Sequence, residues 1–242
     1  MKEITLEERK QIQLRMLIEI DAFCRKHNIR YSLAYGTLIG AIRHKGFIPW
    51  DDDVDIMMPL PDMLRFKELF KSETMCYCDV DTDKRYKYAF SRIANTQTYN
   101  KNGLISTSYG ICIDLYPVLG LPLSIEGIEQ FFKKGEQELN RRLRIIRLVD
   151  LVKRFLPVTY VNGFNEAMKR YRDFLFQYPY ERTKYFFTNG GELEMRNVHE
   201  FDLFEECTEV LFEGHKFAEN GGYPPTQNGD IRSLFWLFSL MA

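Results

Sequence analysis

The residues best suited to chemistry lie in Gly36–Ile56, which reads Gly-Thr-Leu-Ile-Gly-Ala-Ile-Arg-His-Lys-Gly-Phe-Ile-Pro-Trp-Asp-Asp-Asp-Val-Asp-Ile. Four of the five residues 51–55 are aspartates, and they run directly into apolar sequence. Acids packed at the start of a buried strand are costly unless a cation sits among them. Asp51, Asp53 and Asp55 alternate, and in a strand such residues share a face roughly 7 Å apart. Carboxylates at that spacing suit a hard divalent cation, with magnesium taking one or two of them and leaving room for substrate phosphates. The alternation sends Val54 and Ile56 into the core and Asp52 away. It singles out Asp53 and Asp55 as the metal pair, with Asp51 and Asp52 as second choices. A solvated acidic loop is the bland alternative. A calcium loop of the EF type is excluded: counted from Asp51, the required Gly and Glu positions hold Ile56 and Asp62.

Asp114 is the natural third carboxylate. It stands alone in the apolar run Gly110-Ile111-Cys112-Ile113-Asp114-Leu115-Tyr116-Pro117-Val118. A lone buried acid needs either a metal shared with Asp53 and Asp55 or a salt bridge, for which Arg92 is the candidate. Gly36 permits a tight turn, and Thr37 is a suitable N-cap for a short helix over 38–44. Amides at a helix start favour a phosphate. Arg43, His44 and Lys45 at the other end either complement the helix dipole or meet phosphate.

The elements around these residues follow from pattern. Thr5-Leu6-Glu7-Glu8 has the form of a capping box, and apolar residues then recur at helical spacing, predicting an amphipathic scaffold helix over 5–28 ended by His27-Asn28. Ile29–Ala34 reads as a short strand and Pro59–Lys71 as a helix. Met75–Val80 and Tyr86–Ala94 read as strands, the second carrying Arg92. Gly46 and Pro49 mark a loop with Phe47 and Trp50 as its packing anchors. From Ser124 to Tyr178 the pattern is helical, broken at Gly127 and Pro157. There Lys133, Lys134, Arg141, Arg142, Arg144, Arg147, Lys153 and Arg154 form a basic tract, either a solvated helix face or a surface for acidic lipid. Ile231–Ala242 is strongly apolar but too short to span a bilayer.

The 242 residues suit one large domain or one with a helical annex. An apolar fraction of 45% supports a sizeable core. With 33 basic and 34 acidic residues there is no basic excess of the kind that nucleic-acid binding exploits. Five cysteines lack the spacing of a zinc site or a disulfide framework, and read as small buried residues in a reducing compartment. The charged start shows no signal peptide, so a cytoplasmic location is expected.

Ala34-Tyr35-Gly36-Thr37-Leu38-Ile39-Gly40 followed by Arg43-His44-x-Gly46-Phe47-Ile48-Pro49-Trp50-Asp51-Asp52-Asp53-Val54-Asp55 resembles the signature of LicD-type phosphotransferases, relatives of the fukutin-related enzymes. Gly110–Pro117 resembles that family's second block, and Phe212-Glu213-Gly214-His215-Lys216-Phe217 its third. The resemblance implies an α+β fold with a nucleotidyltransferase-like mixed sheet, packed helices and a helical C-terminal addition. We accordingly expect a catalytic core over 1–122 and a mainly helical addition over 123–242, packed as one unit. It also implies transfer of phosphocholine, or a similar phospho-alcohol, from a CDP-linked donor such as CDP-choline. The acceptor would be a hydroxyl of a polysaccharide, teichoic acid or lipopolysaccharide precursor. In such a site Asp53, Asp55 and Asp114 bind magnesium or manganese and act in catalysis, with Asp114 able to serve as general base. Gly36 and Thr37, with Arg43 and Arg92, contact phosphate. The expected partners are the CDP-alcohol and a glycan or lipid-linked glycan, not nucleic acid, with peripheral contact at the inner face of the membrane. The alternatives are a nucleotidyltransferase and a non-catalytic glycan- or nucleotide-binding relative. The family's Tyr-Gly-Asp-Tyr ending is missing after Phe217, where Asn228-Gly229-Asp230 is at best a fragment of it.

Overall fold

A computed structural model describes residues 3–84, 86, 88–99, 110–153, 161–188, 193, 197–199, 204 and 207–220. Helix α1 (Leu6–His27) starts at the expected capping box: Thr5 Oγ1 accepts the Glu8 N–H, and the Glu8 carboxylate accepts the Thr5 N–H. Asn28 ends it in the left-handed conformation at φ 51°. The helix buries Met16, Leu17, Ile20 and Cys24 on one stripe.

Two chain segments carry the sheet's centre. Strand β2 (Asp55–Pro59) is buried along its whole length, and β5 (Cys112–Gly120) runs parallel to it. A strand covered on both faces has to be nearly all apolar, which Ile56-Met57-Met58-Pro59 supplies. Helix α3 (Leu60–Leu69) follows β2 at once, with Pro61 near its start, where a missing N–H costs nothing. Strand β1 (Ser32–Leu33) pairs with β2 on the outer side. On the other side of β5 lie β4 (Ser91–Asn95) and then β3 (Met75–Cys78), both antiparallel. The sheet order is therefore β1-β2-β5-β4-β3. The mixed α+β architecture agrees with the expected fold class.

The C-terminal half is not only helical. Helices α4 (Ile125–Lys153) and α5 (Val161–Leu175) pack together, and Phe131 stacks on Phe174. The chain then returns to the sheet. Strand β6 (Phe186–Thr188) pairs with the end of β5, and β7 (Val198–His199) pairs with β6. The hairpin β8 (Cys207–Phe212) and β9 (His215–Asn220) packs against β1 and α2 (Tyr35–His44). A boundary at residue 122 thus falls between strands of one sheet. Helix α4 runs through Gly127, which does not break it: in the first turn glycine costs little, and a side chain there would meet Pro122. Pro157 and the tail 221–242 lie outside the described residues, as does Arg154 of the basic tract; Lys133, Lys134, Arg141 and Arg144 are exposed on α4.

Candidate active site

The carboxylates converge at one end of the β2/β5 pair. Asp55 opens β2 and stands in register with Asp114 on β5, and Asp114 stands in register with Arg92 on β4. Neighbouring strands lie about 4.8 Å apart, so the three side chains share one face. Residues 51–54 precede the strand without regular structure, and Val54 and Ile56 are fully buried as the alternation requires. Asp51, Asp52 and Asp53 bring one oxygen each to within 4.8 Å of one another. That triad shares only Asp53 with the expected set of Asp53, Asp55 and Asp114, and it brings in Asp51 and Asp52. The Asp51 carboxylate lies against Gly36, where a Cβ would come within 2.7 Å of its oxygen. Gly36 is therefore needed to let an acid approach the helix start. Asp52 turns towards α1 and is ion-paired with Arg9.

Crowding of like charge leaves a mark on these acids. Burial, then Asp53, Asp114 and Asp51, push the Asp55 carboxyl up to about 8, against the pull of Arg92. Asp51 rises to about 6, through burial and then Asp53. Burial also raises Asp114, while Arg92 opposes it. Protons are thus held where a cation would relieve the same repulsion. A set made entirely of carboxylate oxygens fits a hard divalent ion. Asp51, Asp53 and Asp55, with Asp114 beside them, give enough ligands even with Asp52 paired to Arg9.

Arg92 is not presented singly to a phosphate. Its Nε and Nη2 bind the two Asp114 oxygens at 2.7 and 2.9 Å, the salt bridge that a lone buried acid needs in place of a metal. Its guanidinium also lies 3.9 Å from the centroid of the Tyr88 ring. Asp114 keeps lone pairs beyond those two bonds, so the pair fixes the carboxylate without blocking it. Thr37 is not an N-cap. Helix α2 begins two residues earlier, with Ala34 as its cap and no capping side chain. Thr37 is buried instead, and its Oγ1 accepts the Asp55 N–H at 2.9 Å, tying α2 to the strand that carries the acid. Arg43 is exposed at the far end of α2, seven residues or roughly 10 Å of helix from Gly36.

The loop that presents the acids is held from three sides. Lys10, buried in α1, donates to the Ile48 and Pro49 carbonyls at 3.1 and 3.0 Å. Gln13, also buried, donates to the carbonyls of Asp52 and Cys112, joining the loop to β5. From the β8–β9 hairpin, Glu213 accepts the Phe47 N–H at 3.0 Å and donates its own N–H to the Lys45 carbonyl at 2.8 Å. Phe47 packs on Phe212, but Trp50 is 77% exposed and anchors nothing. The exposure has a local reason: Asp51 N–H bonds back to Ile48, a tight turn that throws residue 50 outward. Lys10, Gln13 and Glu213 escaped the sequence reading. The buried polar pair at i and i+3 on an otherwise amphipathic helix was the available signal for the first two. Glu213 lies within the Phe212–Phe217 block, but nothing in that block alone ties it to the acid loop.

Cys24 and Cys78 are buried as expected, whereas Cys76 and Cys112 are only half-buried; burial is the main cause that raises Cys112 to about 11. No helix among the described residues is long and apolar enough to cross a membrane.

Residues 28–126 match the family described as LicD/FKTN/FKRP, nucleotidyltransferase domain. The span runs from the end of α1 to the start of α4 and contains Asp51, Asp52, Asp53, Asp55 and Asp114. The lipopolysaccharide cholinephosphotransferase LicD of Haemophilus influenzae is 30% identical over 245 aligned residues, covering 92% of this chain and 88% of that protein. Uncharacterised proteins of Rickettsia typhi and Rickettsia prowazekii are 38% and 35% identical over 69 residues, 28% of this chain in each case. Likeness over nearly the full length, on a mixed sheet with its acids grouped at one end, places the chain in the LicD family, among the enzymes that transfer phosphorus-containing groups.

Proposed function

We propose that this protein transfers phosphocholine from a CDP-linked donor to a hydroxyl of a cell-surface glycan precursor. The observation that carries the reading is the in-register Asp55–Asp114 pair beside the Asp51–Asp53 cluster, in a chain similar throughout to a lipopolysaccharide cholinephosphotransferase. Magnesium or manganese held by Asp51, Asp53 and Asp55, with Asp114 close by, would neutralise charge on the diphosphate and on the departing CMP. The start of α2 offers backbone amides around Gly36 and Thr37 to a phosphate oxygen. Asp114 accepts the proton of the acceptor hydroxyl, and its raised affinity for protons brings it nearer the pH at which a base works well. Arg92 keeps that carboxylate oriented through its two bonds. The acceptor is a lipopolysaccharide or related lipid-linked glycan, met at the inner face of the membrane, and no nucleic acid takes part. Catalytic core and C-terminal addition act as one unit.

The test is release of CMP from CDP-choline in the presence of magnesium or manganese and a lipopolysaccharide acceptor. Asp53→Asn and Asp114→Asn are each expected to lower the rate on the order of 100-fold or more. Equal rates in wild type and both variants would remove these carboxylates from the reaction. Pyrophosphate in place of CMP would make the protein a nucleotidyltransferase.

A further inference from the structure

Past the acids, the same face of the sheet carries a row of aromatic rings. Tyr116 lies two residues beyond Asp114 on β5, and Phe90 two residues before Arg92 at the entrance to β4. Their centroids are 4.6 Å apart. Tyr35, next to Gly36, meets Tyr116 edge to face at 4.9 Å and 80°. Tyr88 continues the row, 5.1 Å from Phe90. All four rings are half-buried, so the row keeps surface open beside the carboxylates.

Three features say what this row can hold. It already takes a delocalised cation, because the Arg92 guanidinium sits 3.9 Å from the Tyr88 centroid and 5.5 Å from that of Phe90. Its shape is a corner: Tyr35 and Tyr116 stand nearly perpendicular, and Phe90 tilts 37° from Tyr116. A corner suits a rounded group, whereas a flat base stacks on one exposed face. Finally, Tyr35 adopts φ 43°, a conformation a bulky residue rarely takes, so its ring is held at this corner against backbone preference.

We propose that Tyr35, Phe90 and Tyr116 form the choline subsite, receiving the trimethylammonium group against their ring faces while the phosphate lies at the carboxylate end. This rests on the phosphocholine reading above. Adjacent same-face residues of a strand are roughly 7 Å apart, a span suited to the two-carbon spacer between ammonium and phosphate. A quaternary ammonium has no N–H to donate, so rings and nearby negative charge are the means of recognising it. The subsite thus sets donor choice, separating choline from uncharged alcohols that the phosphate site alone would accept.

Calorimetric binding of CDP-choline, CDP-glycerol and the uncharged isostere CDP-3,3-dimethylbutanol, each with magnesium, tests this on the unaltered protein. The isostere is expected to bind about tenfold more weakly than CDP-choline. Tyr35→Leu and Phe90→Leu should each shrink that ratio severalfold and weaken CDP-choline more than CDP-glycerol, while Tyr116→Phe keeps the preference. Equal affinity of the wild type for CDP-choline and its isostere would overturn the proposal. So would equal loss of all three donors in the leucine variants, which would mean that the rings hold the cytidine. A wild type that binds CDP-glycerol but not CDP-choline would remove the phosphocholine reading itself, a result distinct from either.

Discussion

The central residue is Asp55. In an unfolded chain its carboxyl titrates at the ordinary 3.8, and in the fold at about 8. The native state therefore holds a proton that the unfolded chain has released, and stability falls as pH rises between these values. In the proposed site a divalent cation would replace that proton as the neutralising charge. In chelator, the melting temperature of the protein should thus decline by several degrees between pH 5 and pH 8, as read by calorimetry. Manganese should restore more of it at pH 8 than at pH 5. Asp55→Asn, which carries no charge at either pH, should flatten the pH dependence of the metal-free protein. A gain from manganese of the same size at both pH values would place the cation elsewhere. The Arg92–Asp114 pair belongs to the same residue scale: Asp114 is both ion-paired and beside the other acids, so its two sequence alternatives are compatible.

Among the elements, the β8–β9 hairpin has the least obvious role. Its tip carries Glu213 at φ 49° and Gly214 at φ 79°. Glu213 grips the Lys45–Phe47 backbone so closely that a side chain at Gly46 would meet its carboxylate at 2.1 Å. Gly40 makes a second close contact, where a Cβ would lie 2.5 Å from the Gly46 carbonyl. The loop is thereby fixed just upstream of Asp51. Glu213→Ala removes the acceptor of the Phe47 N–H and should cost about 1 kcal/mol of stability, since the bond is solvent-accessible. Its larger effect should be weaker manganese binding with a lower kcat, because the acid loop loses one of its three supports. Glu213→Gln keeps an acceptor oxygen and should retain most of both. Unchanged manganese affinity in Glu213→Ala would make the hairpin a mere cover. The same contact explains why the third sequence block, far along the chain, belongs with the first.

For the whole molecule, the sheet decides what can fold. Residues 1–122 contain every proposed catalytic acid yet omit β6, which completes β5, and the hairpin over β1 and α2. They also omit Phe187, Phe212 and Phe217, each at most 1% exposed. Losing core aromatics costs about 3–5 kcal/mol each, against a total stability of about 5–15 kcal/mol for a typical domain. A fragment of residues 1–122 should therefore lack a cooperative melting transition. A sharp transition in that fragment would show that the C-terminal half is an annex after all.

What the sequence determined by itself was local or compositional. The capping box fixed the start of α1, the apolar run fixed β5, and the acid-rich string before Ile56 marked a candidate cation site, because each signal lies within a few adjacent residues. The chain could not state which acids meet. Strand alternation favoured Asp53 with Asp55, but β2 starts only at Asp55, and the irregular turn before it swings Asp51 against Gly36. Nor could it say that Thr37 serves the Asp55 amide, that Arg92 is spent on Asp114, or that Trp50 faces solvent. Those outcomes depend on strand register and on contacts between residues far apart in sequence. Both arise only when the sheet closes, since hydrogen-bond pairing across strands is a property of the folded pair and not of either segment alone.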